Sequence, residues 1–178
     1  MHRVRLLPHP STPCPAVTDL HVRVSAESAG RIALTYTLVG RPAALSIPAP
    51  ARPERVDGLW RHTCFEAFVM ADGGPAYREL NFSPSGEWAA YAFRQYREGG
   101  PLEPMPAPVI ETRVGEKVLR LDVTLSRMAL PEPGPLRLGL SAVIEEADGR
   151  ISYWALHHPT GKPDFHHASA FALELPRP

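Results

Sequence analysis

Apolar and polar residues alternate with a period of two along several short stretches of the chain. RIALTYTL (31 to 38) and VLRLDVTL (118 to 125) show the alternation most clearly, and it is typical of strands with one buried face. Turn signals such as ESAG, DGG, SPSG and ADG separate these stretches. Strands are predicted at residues 19–24, 31–38, 62–70, 77–82, 87–93, 109–114, 117–125, 136–145, 151–156 and 168–175.

No segment carries an apolar stripe with helical spacing over three turns. FRQYREGG (93 to 100) and SRMAL (126 to 130) are candidates for single helical turns. Roughly ten short strands therefore predict an all-β fold, an antiparallel β-sandwich, although a closed barrel fits the same pattern. A chain of 178 residues is expected to form one domain over 1–178, with its core at about 15–175.

Proline is frequent and clustered, with 21 residues that concentrate at 41–54, 100–109 and 130–136. Because proline fixes φ and lacks a backbone donor, these three segments are predicted to be turns and extended connectors.

Composition adds limits on partners and location. The 19 basic and 19 acidic side chains cancel, so neither a nucleic acid nor a membrane is an expected partner. The sequence contains no run of 18 apolar residues, so no membrane-spanning helix is predicted. The first residues lack the apolar segment of a signal peptide. Two cysteines, Cys14 and Cys64, are too few for a disulfide scaffold, and we expect a cytoplasmic protein with reduced thiols.

The most informative feature is a carboxylate within an apolar strand, Glu66 in CFEAFV. Alternation puts it on the face opposite Phe65 and Val69. On the later strands, Leu80, Phe82, Tyr91 and Phe93 are predicted to face the core. If consecutive strands pair, the opposite face consists of His62, Glu66, Glu79, Asn81 and Trp88.

Carboxylates, an amide and an indole on one surface are suited to a polyol. Aromatic rings pack on the apolar faces of a sugar, and carboxylates and amides bind its hydroxyls. We therefore assign stacking to Trp60 and Trp88, and hydroxyl recognition to Glu66, Glu79 and Asn81. His62 and Arg94 are further candidates for ligand binding. In the competing interpretation, Glu66 forms a surface ion pair with Arg78 or Arg94, and the two tryptophans only cover the edge of the sandwich.

Three blocks of sequence, LWRHTCFEAFV (59 to 69), YRELNFSPSGEWAAYAFRQYR (77 to 97) and YWALHHPTGKPDFHH (153 to 167), resemble the bacterial DOMON-like proteins, which are related to family 9 carbohydrate-binding modules. The resemblance covers roughly residues 15 to 175. It implies a β-sandwich that binds a sugar or haem without obligatory catalysis, and structural calcium in the family 9 modules. Those modules hold a sugar between two tryptophans. Trp60, Trp88 and Trp154 are available here, and the equivalent pair stays open.

Haem is the first alternative ligand, because the resemblance implies axial Met and His ligands. Met70 shares the predicted face with His62, and His157 or His166 would complete a pair.

A metal site is the second alternative. HHPTGKPDFHH (157 to 167) concentrates side chains of the types that bind zinc, and Cys64 is a further donor. These side chains are His157, His158, Asp164, His166 and His167. Asp57 and Asp164 are also candidate calcium ligands, although no calcium loop motif is present.

An enzyme is the third alternative. Glu66 and Glu79 on neighbouring strands fit the two carboxyl groups of a glycosidase. Arg94 and Arg97 are candidates for holding an anionic group of a ligand. No phosphate-binding loop and no serine-hydrolase motif is present in the sequence. The sequence therefore favours non-catalytic recognition of a small molecule or glycan, most plausibly a carbohydrate.

Overall fold

The structure is a computed structural model that describes residues 1–102, 104–131 and 134–176. Thirteen strands lie in these parts: β1 (His2–Arg5), β2 (Leu7–Pro8), β3 (Val17–Ala26), β4 (Ile32–Gly40), β5 (Cys64–Ala71), β6 (Tyr77–Phe82), β7 (Trp88–Gln95), β8 (Glu98–Gly100), β9 (Val109–Val114), β10 (Val118–Leu125), β11 (Leu136–Glu145), β12 (Ile151–Ala155) and β13 (Leu173–Leu175). Short 3-10 turns lie at Ser28–Gly30, Pro42–Ala44, Leu59–Arg61, Arg127–Ala129 and Ala168–Ala170. In the same parts of the chain, no helix is long and apolar enough to span a membrane.

The strands form two antiparallel sheets. The first has the order β1-β3-β4-β10-β9, and the second has the order β2-β12-β11-β5-β6-β7-β8, with β13 beside β11. The predicted all-β antiparallel sandwich is confirmed, and the barrel alternative is wrong because the strands divide between two sheets. That the chain is a single domain stays a prediction.

The core lies between the two sheets and follows from the alternation in the sequence. Ile32, Leu34 and Leu38 of β4 are all at least 99% buried, and they meet Phe65 and Val69 of β5 in one apolar cluster. Burial of such side chains contributes about 1.5–3 kcal/mol each, so this face of β5 is fixed toward the core. The other face of β5 consequently turns outward.

The outward face of the eight-stranded sheet has a smaller apolar cluster of its own. Phe68, Tyr77 and Phe171 are buried there, and Phe93 and Phe165 pack against them. The chain after β12 crosses this face, where the rings of Phe165 and Phe171 contact the Phe68 ring in edge-on geometry. This segment, residues 156–172, therefore covers part of the outer face and is called the covering segment below.

A glycine allows this close crossing. A Cβ atom on Gly139 of β11 would lie 3.1 Å from the carbonyl oxygen of Ala170 and 3.4 Å from the Cβ atom of Phe68. Gly139 thus lets the backbone of the covering segment rest directly on the sheet.

Other local predictions had mixed outcomes. FRQYREGG is not a helical turn but the β7–β8 hairpin, in which Arg97 has a left-handed φ of 54°. SRMAL does contain a single 3-10 turn. The strands β1, β2 and β8 were not predicted, since each is only two to four residues long. Within the proline-rich connectors, residues 103, 132 and 133 lie outside the described residues.

Candidate ligand-binding site

A cavity of about 410 Å³ opens on the outer face of the eight-stranded sheet. Its volume falls in the range of small-molecule sites. Strands β5, β6, β7, β11 and β12, the turn before β5 and the segment after β12 all contribute. The lining residues are Trp60, Glu66, Phe68, Glu79, Tyr91, Phe93, Arg97, Val143, Tyr153, Pro163, Phe165 and His166.

Strand register brings the two acidic residues together at the floor of the cavity. Glu66 of β5 lies opposite Asn81 of β6, and Glu79 lies two residues before Asn81. The two glutamates are therefore diagonal neighbours on one face, which in antiparallel sheets are about 7 Å apart. The predicted convergence of Glu66, Glu79 and Asn81 on one face is confirmed.

Glu66 is only 1% exposed, and within the described parts of the chain it forms no salt bridge with a basic side chain. The Ser141 hydroxyl donates a hydrogen bond to Glu66 Oε2 at 3.0 Å, and within the described residues the carboxyl has no other hydrogen-bond partner. Burial raises the pKa of Glu66 well above its ordinary value, and the nearby charge of Glu79 raises it further. The interpretation of Glu66 as half of a surface ion pair is wrong, because Arg78 instead donates to the carbonyl oxygens of Met128 and Leu130.

Glu79 sits in a short chain of hydrogen bonds. Asn81 Nδ2 donates to Glu79 Oε1 at 3.0 Å, and His166 Nε2 lies 3.6 Å from Glu79 Oε2. The Tyr77 hydroxyl accepts from the backbone N–H of Arg97 and forms a hydrogen bond with His166 Nδ1 at 2.8 Å. These contacts connect His166, through Tyr77, to the backbone of Arg97 and bring its Nε2 atom toward Glu79.

Two pKa shifts follow from the burial of this chain. Burial, assisted by the positive charge of Arg97, lowers the pKa of His166 to about 4. Burial also raises the pKa of Glu79, although the hydrogen bond from Asn81 opposes that shift. His166 is therefore neutral near pH 7, and it does not supply the missing cation for either glutamate.

Asn81 is fully buried beside this pair, and its Oδ1 atom has no hydrogen-bond partner among the described residues. Its side-chain N–H is already directed to Glu79. Acceptor oxygens are therefore in excess over donors at and directly behind the floor of the cavity.

The rim of the cavity is held by Tyr91. Its hydroxyl donates to Asp57 Oδ1 at 3.0 Å and accepts from the Gly58 backbone N–H at 3.3 Å. Gly58 has a left-handed φ of 81° and begins the 3-10 turn that carries Trp60. These bonds position the Trp60 side chain, which is 49% exposed at the edge of the cavity.

The opposite side of the rim is fixed by an ion pair. Arg97 NH2 contacts Asp164 Oδ1 at 2.8 Å, and the Tyr96 hydroxyl donates to Asp164 Oδ2 at 2.7 Å. Asp164 Oδ1 also accepts from the His166 backbone N–H at 3.1 Å. The β7–β8 hairpin is thus connected to the covering segment next to its cavity-lining residues.

The predicted orientation of β7 is wrong. Trp88 lies opposite Phe82 in register, is 8% exposed and belongs to the core cluster, so it does not share the face of Glu66. Tyr91 and Phe93, which were predicted to face the core, line the cavity instead. Three alanines in WAAYAF leave the apolar alternation too weak to define which face is buried.

Asn81, which was predicted to bind hydroxyls, is fully buried and is not among the lining residues. Three other predicted residues also lie outside the cavity. His62 Nδ1 lies 2.8 Å from Glu145 Oε2, and its side chain is 66% exposed. The Arg94 side chain is exposed and reaches toward Glu98, 3.8 Å away. Trp154 is buried and donates to the Ser152 hydroxyl. Of the three tryptophans, Trp60 alone lines the cavity.

Several cavity residues were missed by sequence reasoning. Phe68 was placed on the correct face but was given no role, and Tyr91 and Phe93 were missed through the error on β7. Tyr153 and Phe165 gave no local signal, because their positions depend on how distant segments meet.

The histidines of the covering segment do not converge on a metal site. His157 and His167 both bond to the Ser169 hydroxyl, and His158 bonds to the carbonyl oxygen of Leu7. In the described parts of the chain, no group of three or more His, Cys, Asp or Glu residues could hold a metal ion. The donors that the zinc hypothesis requires are therefore dispersed.

The calcium and haem alternatives fit the observed side chains poorly. Asp57 and Asp164, the calcium candidates, are engaged by Tyr91 and Arg97. For haem, His166 lines the cavity, but Met70 is packed in the second apolar cluster and His62 is held by Glu145. The proposed axial pair is therefore not assembled.

Comparison with known proteins identifies similar folds. No protein-family model and no curated protein sequence matches the chain. A candidate carbohydrate-binding protein from Bacteroides uniformis aligns with a TM-score of 0.62 and 16% identity over 94% of this chain and 83% of its own. A family 9 carbohydrate-binding module from Caldicellulosiruptor kristjanssonii aligns in its glucose complex (TM-score 0.56, 8% identity, 80% of this chain and 69% of that chain). A family 9 module from the same organism in complex with cellotriose aligns with a TM-score of 0.58 and 10% identity, over 89% of this chain and 75% of that chain. The chain therefore has the β-sandwich fold seen in family 9 modules, as the resemblance implied.

Proposed function

We propose that this chain is a non-catalytic carbohydrate-binding domain that holds a sugar in the cavity above Glu66 and Glu79. One observation carries the proposal, namely that six aromatic rings and two buried carboxyl groups line the same cavity of about 410 Å³. Rings supply apolar contact area, and carboxyl groups supply strong hydrogen bonds to hydroxyls.

Each part of the cavity has a role in this proposal. Trp60 at the rim and Tyr91 and Phe93 on β7 pack against the C–H faces of the sugar ring. Glu66 and Glu79 at the floor bind its hydroxyl groups. A protonated glutamic acid both donates and accepts hydrogen bonds, as a hydroxyl group does, so the raised pKa of each carboxyl is compatible with a neutral sugar.

The comparisons support this proposal through shared architecture. A similar sandwich is described in complex with glucose and with cellotriose. The finer assignment, a bacterial DOMON-like protein located in the cytoplasm, rests on the sequence resemblance and composition, and it remains part of the proposal. Cell fractionation would test the location.

Calorimetric titration with glucose and cellotriose, preceded by a glycan array, tests the function. We expect dissociation constants in the micromolar to millimolar range, about −8 to −4 kcal/mol. Trp60→Ala and Glu66→Gln should weaken binding, whereas Glu116→Gln, an exposed change on the β9–β10 turn, should leave it unchanged. If no glycan on the array binds, and neither titrated sugar binds at millimolar concentration, the proposal fails.

Glycoside hydrolysis is a second candidate, favoured by two neighbouring glutamates at the floor of the cavity, of which Glu66 has the more strongly raised pKa. A glycosidase needs one protonated carboxyl as the acid and a second one as nucleophile or base, about 5–9.5 Å apart. Diagonal strand positions are about 7 Å apart, a spacing that allows the carboxyl groups of Glu66 and Glu79 to come within that range. Turnover of aryl glycosides that disappears in both Glu66→Gln and Glu79→Gln would establish catalysis, and a lack of turnover by a protein that binds sugars would exclude it.

A further inference from the structure

The carboxyl groups at the floor of the cavity have no salt bridge to an arginine or lysine within the described residues. Glu66 and Glu79 line its floor, and Asp57 and Asp164 lie just behind the rim. Arg97 is the one cation among the described lining residues, and its guanidinium is paired with Asp164 at 2.8 Å. The neutral His166 adds no charge near pH 7. The two floor carboxyl groups thus have no protein cation of their own.

The hydrogen-bonding groups at the floor are mainly acceptor oxygens that lack donors. Glu66 Oε2 accepts from Ser141, and Glu66 Oε1 has no partner within the described residues, although the side chain is 99% buried and lines the cavity. Glu79 Oε2 has no hydrogen bond within the described residues, and His166 Nε2 lies 3.6 Å from it. An occupant that brings several donors would satisfy both carboxyl groups at once.

The walls above the carboxyl groups are aromatic. Trp60, Phe68, Tyr91, Phe93, Tyr153 and Phe165 surround the cavity. Faces of aromatic rings attract cations, most strongly in sites shielded from water. Carboxylates below and aromatic rings around them are the combination that binds an ammonium group.

We propose that the cavity selects a sugar with a free amino group over the equivalent neutral sugar, with the ammonium group directed at Glu66 and Glu79. This inference rests on the proposed function, because it specifies the class of sugar. The ammonium supplies three donors and the missing positive charge. The remaining ring atoms make the same aromatic contacts that a neutral sugar would make.

Proton release provides a readout beyond affinity. Burial raises the pKa of both glutamates, and the charge of Glu79 raises that of Glu66 further. A cation placed between them would lower both again. Binding of an amino sugar should therefore release protons, whereas binding of glucose should release none. Calorimetry in two buffers of different ionisation enthalpy measures this difference directly.

The test compares three ligands near pH 7: glucosamine, glucose and N-acetylglucosamine, in which the amine is neutralised. Choline is added as a cation that is not a sugar. We expect glucosamine to bind about tenfold or more tightly than glucose. Glu66→Gln and Glu79→Gln, which keep the side-chain shape, should weaken the binding of both sugars but weaken glucosamine binding about tenfold more, which removes the preference. Glu116→Gln should change nothing. Circular dichroism verifies that each variant is folded.

The outcomes separate this inference from the general function. Equal or tighter binding of glucose, or a glucosamine preference that survives both glutamine variants, overturns the amino-sugar inference and leaves carbohydrate binding intact. Binding of choline without binding of any sugar refutes the proposed function and overturns the amino-sugar assignment, leaving only a cation site. If none of the four ligands binds, the inference is overturned.

Discussion

Replacement of Trp88 by alanine should damage stability far more than binding. The indole is 8% exposed and lies in the core between the sheets. Its backbone bonds, to the carbonyl oxygen of Glu54 and from the N–H of Val56, do not require the side chain. The loss is therefore a cavity in the core, which costs about 3–5 kcal/mol for tryptophan. For a chain of this size that corresponds to a melting temperature about 6–20 °C lower.

Trp60 provides the matched control, since it is 49% exposed and lines the candidate site. Trp60→Ala should change the free energy of unfolding by only about 0.5 kcal/mol but weaken sugar binding roughly tenfold. Urea unfolding followed by circular dichroism, together with calorimetric titration below the melting temperature, measures both quantities for both variants. A Trp88→Ala protein that keeps its stability but loses binding would show that Trp88 faces the ligand, and it would refute the structural argument.

Four further outcomes follow from the same structure. Because the pKa of Glu66 is raised in the folded state, the free energy of unfolding should fall as pH rises above the ordinary glutamate pKa. Glu66→Gln should remove this fall. In urea titrations at pH 7, the variant should therefore be more stable than wild type. The pKa of His166 is lowered to about 4, so the stabilisation of the fold by its neutral imidazole is lost as pH falls from 6.5 toward 4. NMR titration should find a neutral imidazole down to about pH 4. In His166→Gln, the free energy of unfolding should depend less on pH in that window. Tyr77→Phe removes the hydroxyl between Arg97 and His166 and should cost about 0.5–1.5 kcal/mol in thermal unfolding. Gly40→Ala should cost about 1–3 kcal/mol or more, since a Cβ there would overlap the carbonyl oxygen of Ala16; unchanged melting would contradict that packing.

Much of the fold could be predicted because alternation reports directly on burial. The strongest patterns, RIALTYTL and VLRLDVTL, became the paired strands β4 and β10. The same reasoning placed Glu66, Glu79 and Asn81 on one outer face, since Phe65, Leu80 and Phe82 define the opposite face unambiguously.

The rest of the site depends on information that local patterns do not contain. In β7 the small alanines leave two orientations nearly equal in apolar content, and only the pairing of Trp88 with Phe82 decides between them. Phe165 and His166 reach the cavity because the covering segment folds back over Phe68. That return is a tertiary contact, with nearly a hundred residues between the partners.

One hydrogen bond crosses the apolar interior and joins the two layers directly behind the site. The hydroxyl of Tyr36, on β4 of the five-stranded sheet, donates to the backbone carbonyl oxygen of Glu66 at 2.8 Å. The far layer therefore influences where the floor of the cavity sits, although it contributes no lining residue. A selection for tighter binding should accordingly recover substitutions around Tyr36, and a graft of the outer strands onto a different supporting sheet would need an equivalent donor at that position.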